Sequence, residues 1–247
     1  MTPVDPSPAR ARSFGLGAAA YRLARPGYPP DAIGWLVPDG ATRVLDLAAG
    51  TGKLTEELVD LGVEVVAVEP DDVMRTELTA ALPGVRALTG TAEAIPLADA
   101  SVDCVTVAQA WHWFDADRAT AEIARVLRPG GRLGVVWNVR DESVGWVEAL
   151  THILHEGDSA PPEYSEPHLG ARFGPVEHAT FTWTHRLPAA QLRTLAASRS
   201  HTIGLAPGER ERLLDAVDAL VHTHPDLAGR RELDVPYRTE CWRATLR

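Results

Sequence analysis

The chain has 247 residues, a formal net charge of −10 and two cysteines, Cys104 and Cys241. That length holds one sizeable α/β domain with an added lobe and needs no disulfide framework, and two cysteines without metal-ligand or redox spacing fit a reducing cytoplasm. The acidic balance argues against a nucleic-acid partner and for a small-molecule one, and neither a charged leader with an apolar core nor an apolar run of membrane-spanning length is present.

In chain order, residues 1–13, with Pro3, Pro6 and Pro8, are expected to form a mobile tail ahead of one domain over 14–247. A short amphipathic helix is predicted over Phe14–Tyr28, broken by Pro26, and Asp31 is placed to cap a second helix through Leu36. Strands are then predicted at Arg43–Leu47, Val63–Val68, Val85–Thr89, Val102–Ala108 and Arg132–Trp137. Helices fall between them at Leu54–Leu61, Asp72–Ala81 and Ala116–Leu127, with P-G-G at Pro129–Gly131 read as the turn into the fifth strand. Beyond Asn138 the alternation stops. Ser143–His155, Ala189–Ser198 and Pro207–His222 read as helices, the segment around Pro161–Gly170 as a loop or lid, and Glu177–Leu187 and Asp234–Leu246 as strands. The expected fold is α/β, a doubly wound, Rossmann-like seven-stranded sheet with an antiparallel C-terminal edge pair and a helical cap. Its core would span 31–138, with the cap and last strands in 139–247.

Val44–Thr55 reads V-L-D-L-A-A-G-T-G-K-L-T, and Val65–Pro70 reads V-V-A-V-E-P. A strand that ends in a small-residue turn before a helix presents a nucleotide-like ligand to the helix N-terminus. Glu69 closes the second apolar run at the spacing where a carboxylate can accept from both ribose hydroxyls. The dinucleotide fingerprint is incomplete, with Ala48, Gly50 and Gly52 in the turn and Thr55 where a last glycine would fall. A P-loop would need Gly at Leu47 and Ser or Thr at Leu54. The glycines by themselves equally fit a tight turn that binds nothing. Asp46 tips this balance, because a carboxylate two residues before the turn opposes a pyrophosphate and suits an ammonium or sulfonium. Together, Asp46 and Glu69 point to S-adenosylmethionine.

Asp46–Gly52, Glu69, the loop 90–96 and the loop 109–115 all follow C-terminal ends of predicted strands, where doubly wound sheets gather ligands into one crevice. The last loop carries A-Q-A-W-H-W-F-D from Ala108. Its tryptophans either wall a dry pocket around one titratable group or anchor the next helix, and the first reading is favoured for His112 as general base. Asp115 is read as that helix's cap, and Glu93 as an adenine ligand or a turn cap. Arg140 and Arg199 either face solvent or point at substrate. His152 and His155 stand one turn apart without an evident third ligand, so no metal is expected.

Six segments carry a family resemblance: Y-R-L-A-R-P-G-Y-P from Tyr21, L-D-L-A-A-G-T-G from Leu45, V-E-P from Val68, G-T-A-E-A-I-P-L from Gly90, the tryptophan cluster, and A-R-V-L-R-P-G-G-R-L from Ala124. In these the chain resembles the class I S-adenosylmethionine-dependent methyltransferases, in the small-molecule, trans-aconitate methyltransferase-like (methyltransferase type 11) branch. The resemblance implies a methionyl end over Asp46, Ala48, Gly50 and Gly52, with Gln109 beside it. It puts Glu69 on the ribose, Pro70 and Met74 near the adenosine, Ala92 and Glu93 at the adenine edge, and Tyr21 and Arg25 closing over the site. Trp111, Trp113, Trp137, Arg140 and Arg199 are candidates for the acceptor side. The expected reaction is in-line methyl transfer to a small molecule, leaving S-adenosylhomocysteine, with the oxygen of a carboxylate or hydroxyl favoured over nitrogen. A protein of the same fold that binds the cofactor without transferring a methyl is the alternative, and the sequence does not give the oligomeric state.

Overall fold

The computed structural model describes residues 22, 25–156 and 166–247. The expected tail and most of the first predicted helix lie outside the described residues. The elements are α1 (Pro30–Leu36), β1 (Arg43–Leu47), α2 (Lys53–Asp60), β2 (Glu64–Val68), α3 (Asp72–Ala81), β3 (Arg86–Leu88), β4 (Val102–Ala108), α4 (Ala116–Val126) and β5 (Leu127–Arg140). They continue through α5 (Gly145–Leu154), β6 (Glu177–Pro188), α6 (Gln191–Ala197), α7 (Ser200–Gly204), α8 (Pro207–Thr223) and β7 (Glu232–Thr245).

Seven strands form one sheet in the order β3-β2-β1-β4-β5-β7-β6, with an antiparallel edge at β5, β7 and β6. β1 pairs in parallel with both β2 and β4, so the strand order reverses between β1 and β4. Continuous burial of Val44–Leu47, Val65–Val68 and Cys104–Val107 explains why these runs lack alternation, since a parallel sheet covered on both faces buries every side chain.

The described residues divide into two compact units, one built from 27–138, 166–181 and 239–247, the other from 22, 25–26, 139–156 and 182–238. The first has a core that includes Ile33, Leu36, Val44, Leu58, Cys104 and Val136. The second buries Trp146, Leu150, Leu192, Leu213, Val217 and Val235. Among the described residues no helix is long and apolar enough to cross a membrane.

Three local features differ from the sequence reading. Asp31 does not cap α1; Pro29 occupies the cap position and Pro30 opens the helix, while Asp31 adds its charge to the first turn. β5 starts directly after α4, so Pro129–Gly131 lies inside the strand rather than before it. Val102 pairs with Leu127 and Cys104 with Arg132, which makes residues 128–131 bulge opposite Asp103. Glycine is required there because Gly130 has φ +74° and a Cβ on Gly131 would sit 2.9 Å from the Arg128 carbonyl oxygen. The third is the short helix α7, which the sequence reading did not place.

Asp103 ties this bulge to the start of β1. Its carboxylate accepts from the Thr42 N–H at 2.8 Å, the Thr42 hydroxyl at 2.9 Å and the Arg43 N–H at 2.9 Å, and it pairs with Arg128. Desolvation works against the charged form, but these bonds outweigh it and hold the carboxyl well below its ordinary value of 3.8. A depressed folded-state value means stability present above the ordinary value and lost as pH falls through the folded one. Asp103→Ala is therefore expected to cost about 2 kcal/mol at neutral pH. Denaturant unfolding should show that gap narrowing below pH 3.8.

Candidate active site

Both strands at the order reversal end in a left-handed residue that is not glycine, Ala48 at φ 57° after β1 and Gln109 at φ 58° after β4. Each conformation costs roughly 1–2 kcal/mol, and such strain collects where a backbone is shaped for a ligand. The Ala49 N–H donates to the Val68 carbonyl at 3.1 Å, and the Gly52 N–H to the Ala49 carbonyl at 2.9 Å. Gly50, at φ +57°, has no atom of the described residues within 4 Å of where a Cβ would stand. The turn is thus anchored on one side and open on the other, as a backbone that receives a ligand must be.

Beneath this turn lies Asp46, with no exposed surface. One of its oxygens accepts the Thr55 hydroxyl at 2.6 Å, and the other has no hydrogen-bond partner among the described residues. Burial pushes its carboxyl up to about 7; the Thr55 bond lowers it, and the nearby Glu69 charge adds to the rise. The side chain is thus wholly enclosed two residues before the turn, where it acts through its charge.

Glu69 stands at the end of β2, 7% exposed. Its Oε2 accepts from the Gly50 N–H at 2.8 Å and its Oε1 from the Asp71 N–H at 2.9 Å. Each oxygen keeps a further lone pair for a ligand hydroxyl. Burial raises the Glu69 carboxyl, and the two backbone bonds oppose that rise. Pro70 is exposed, Met74 and Ala92 are buried, and Glu93 is part-buried, where it accepts the Asp115 N–H at 3.1 Å. Asp115 also caps α4 through the Arg118 N–H, so Glu93 and Asp115 join the two loops expected at the adenine edge.

The tryptophan cluster forms a single 3₁₀ turn, Trp111–Trp113. The His112 ring lies 4.5 Å from that of Trp113 and 5.2 Å from that of Trp137, which is 3% exposed on β5. Trp111 packs on Phe114 at 5.7 Å. His112 keeps a solvent-exposed edge, yet desolvation by the protein around its ring lowers its pKa to about 4. The imidazole is neutral at physiological pH. No carboxylate among the described residues bonds to it.

Arg25, Arg140 and Arg199 all belong to the second unit. Arg25 donates to the Ser198 carbonyl at 3.1 Å, Arg140 to the Thr151 hydroxyl at 3.2 Å, and Arg199 lies 2.8 Å from His155 Nε2. Tyr21 lies outside the described residues. Among the described residues no group of three or more His, Cys, Asp or Glu side chains is placed to hold a metal.

Sequence reasoning missed two contributors. Thr55 was noted only for occupying the place of a missing glycine, and its hydroxyl is Asp46's partner. Asn138, read only as the end of the alternating core, donates to the Gly27 carbonyl at 2.8 Å and accepts the Thr239 hydroxyl at 2.6 Å. Its own carbonyl accepts from the Gln109 amide at 3.4 Å. No local pattern marks such a residue, because its partners are remote in sequence.

Comparison with known proteins agrees with this geometry. The methyltransferase domain family matches residues 45–135. Over 234 residues the chain is 53% identical to an uncharacterized methyltransferase of Mycobacterium tuberculosis, covering 95% of this chain and 96% of that one. A methyltransferase-like protein of Schizosaccharomyces pombe is 34% identical over 238 residues, covering 92% and 93% of the two chains. Among solved structures, a protein of Anaeromyxobacter dehalogenans described as a type II methyltransferase superposes with a TM-score of 0.68 at 26% identity, covering 90% of this chain and 97% of that one. The open turn after β1, the acid at the end of β2 and this relatedness along nearly the whole length lead to one conclusion: the chain belongs to the class I S-adenosylmethionine-dependent methyltransferases.

Proposed function

We propose that this enzyme methylates a carboxylate oxygen of a small molecule, in the cytoplasm. The residues suit the cofactor: Gly50 leaves open space, Glu69 has lone pairs for the ribose, and the unpartnered Asp46 oxygen favours positive charge overhead. When bound, S-adenosylmethionine supplies a methyl group made electrophilic by its sulfonium. The turn from Ala48 to Gly52 would hold the methionyl end, with Gln109 beside it, and Pro70, Met74, Ala92 and Glu93 would surround the adenosine. Positioning and exclusion of water would then supply most of the acceleration.

The state of His112 carries the choice of acceptor. An effective general base has a pKa near the working pH and a partner that orients it. His112 is pulled down to about 4 and has no orienting acid among the described residues. It is therefore assigned to shaping the pocket with Trp111, Trp113 and Trp137, and the acceptor to a group already anionic at neutral pH.

The test is transfer of labelled methyl from the cofactor to a metabolite panel. The expected product is a methyl ester that loses its label in mild alkali, and His112→Ala should keep turnover within about tenfold with an unaltered pH profile. An alkali-stable product, or a variant that binds cofactor but loses both turnover and a titrating limb of the profile, would overturn the assignment.

A further inference from the structure

Two turns flank the reversal of strand order, 48–52 after β1 and the one at Gln109 after β4, and each holds a left-handed residue that is not glycine. A strained residue keeps its shape only where its surroundings over-determine it. Gln109 is gripped by two carbonyls of β5, its N–H donating to Val136 at 2.9 Å and its side-chain amide to Asn138 at 3.4 Å. That leaves Gln109 Oε1 as the acceptor for a ligand. The end of β5 is held in turn by the Asn138 side chain, whose Nδ2 donates to the Gly27 carbonyl at 2.8 Å and whose Oδ1 accepts from the buried Thr239 hydroxyl at 2.6 Å. Only this orientation of the amide works, because a carbonyl can only accept. The Tyr28 N–H belongs to the same peptide group as the Gly27 carbonyl, and it donates to Glu57 on α2 at 3.4 Å. A Cβ on Gly27 would stand 2.5 Å from that Glu57 oxygen and displace it. α2 is itself capped by Gly52, the last residue of the first turn, and all of these residues lie in the first compact unit.

We infer that Asn138 is a positioning residue for the cofactor: tied to Gly27 and Thr239, it braces the end of β5, and the end of β5 holds Gln109 in its binding conformation. The inference rests on the cofactor reading of the two turns and adds to it a residue that acts only through Gln109. A run of hydrogen bonds then joins the turns, from Gln109 through Asn138 and the peptide group 27–28 to Glu57, with α2 completing the path to Gly52. Such a brace pre-organises the site before the ligand arrives. Removing one link lets Gln109 relax out of its left-handed conformation, and affinity falls with the fraction of molecules that still hold it.

Calorimetric titration of the full chain with S-adenosylhomocysteine tests this. Asn138→Asp keeps an acceptor for Thr239 but sets an oxygen against the Gly27 carbonyl, and it is expected to bind about tenfold more weakly. Gln109→Ala should lose about as much, and the double variant should fall no more than about twofold below the weaker single one, because both changes remove the same contact. Thr239→Val, which deletes the hydroxyl, should weaken binding about fivefold, while Thr239→Ser, which keeps it, should stay within about twofold of the parent. Packing alone predicts the reverse order, since valine fills the buried position and serine does not. That pair decides the matter should Asn138→Asp not fold. Unchanged affinity in Asn138→Asp or Gln109→Ala, losses that multiply in the double variant, or Thr239→Ser binding as weakly as Thr239→Val would overturn the inference and leave the cofactor site standing. A parent chain that binds no S-adenosylhomocysteine would overturn the cofactor reading itself.

Discussion

Replacing Glu69 with alanine is expected to weaken S-adenosylmethionine at least about a hundredfold, the loss of two charge-assisted hydrogen bonds to ribose hydroxyls. The same change strips the Gly50 and Asp71 N–H groups of their acceptor, so the turn after β1 loses its tie to the end of β2. Glu69→Gln keeps one carbonyl oxygen for one of these N–H groups and turns its amide NH2 against the other, so it too should melt below the parent while binding at least about tenfold more weakly. Isothermal calorimetry beside thermal unfolding reads both effects. Unchanged cofactor affinity in the two variants would remove Glu69 from the site.

The second large effect is expected at Gly52. Its φ of +85° is strained for any L side chain, and an added Cβ would lie 2.9 Å from Leu78 Cγ and 3.3 Å from a Leu82 methyl. Conformational strain and overpacking against α3 together put the cost of Gly52→Ala at about 3 kcal/mol, or a fall of roughly 10 °C in Tm. Gly50→Ala is the instructive contrast. It shares the positive φ but meets no atom of the described residues, so its stability cost should stay near 1 kcal/mol while its methyl group intrudes where the ligand would lie. Stability lost at Gly52 and affinity lost at Gly50 would separate the packed side of the turn from the open one. Equal losses of stability at the two positions would contradict that division.

Much of this was legible in the sequence because the informative features are local. Apolar runs such as Val65–Val68 announce parallel strands, and the carboxylates at Asp46 and Glu69 flank the turn at fixed spacing. The two edge strands were visible through alternation, clearest along β6 where part-buried Phe181 and Trp183 interleave with exposed threonines. What escaped depends on tertiary placement. The P-G-G segment has turn chemistry wherever it occurs, and only pairing with β4 reveals a bulge inside β5. Asp31 is an acceptable cap by residue type, but two prolines ahead of it fix the helix start two residues earlier. The charge state of His112 depends on Trp137, which reaches it from another strand, and the burial of Asp46 depends on a helix packing over it. Neither can be read from spacing.

The central claim is that the acid under the turn and the acid at the end of β2 select a cationic, ribose-bearing methyl donor. The most direct measurement is calorimetric titration of the purified chain with S-adenosylmethionine and, in parallel, with NAD. Saturable binding of the first at one site per chain and none of the second is the expected result. Indifference to S-adenosylmethionine at large excess, or tighter binding of NAD, would contradict it.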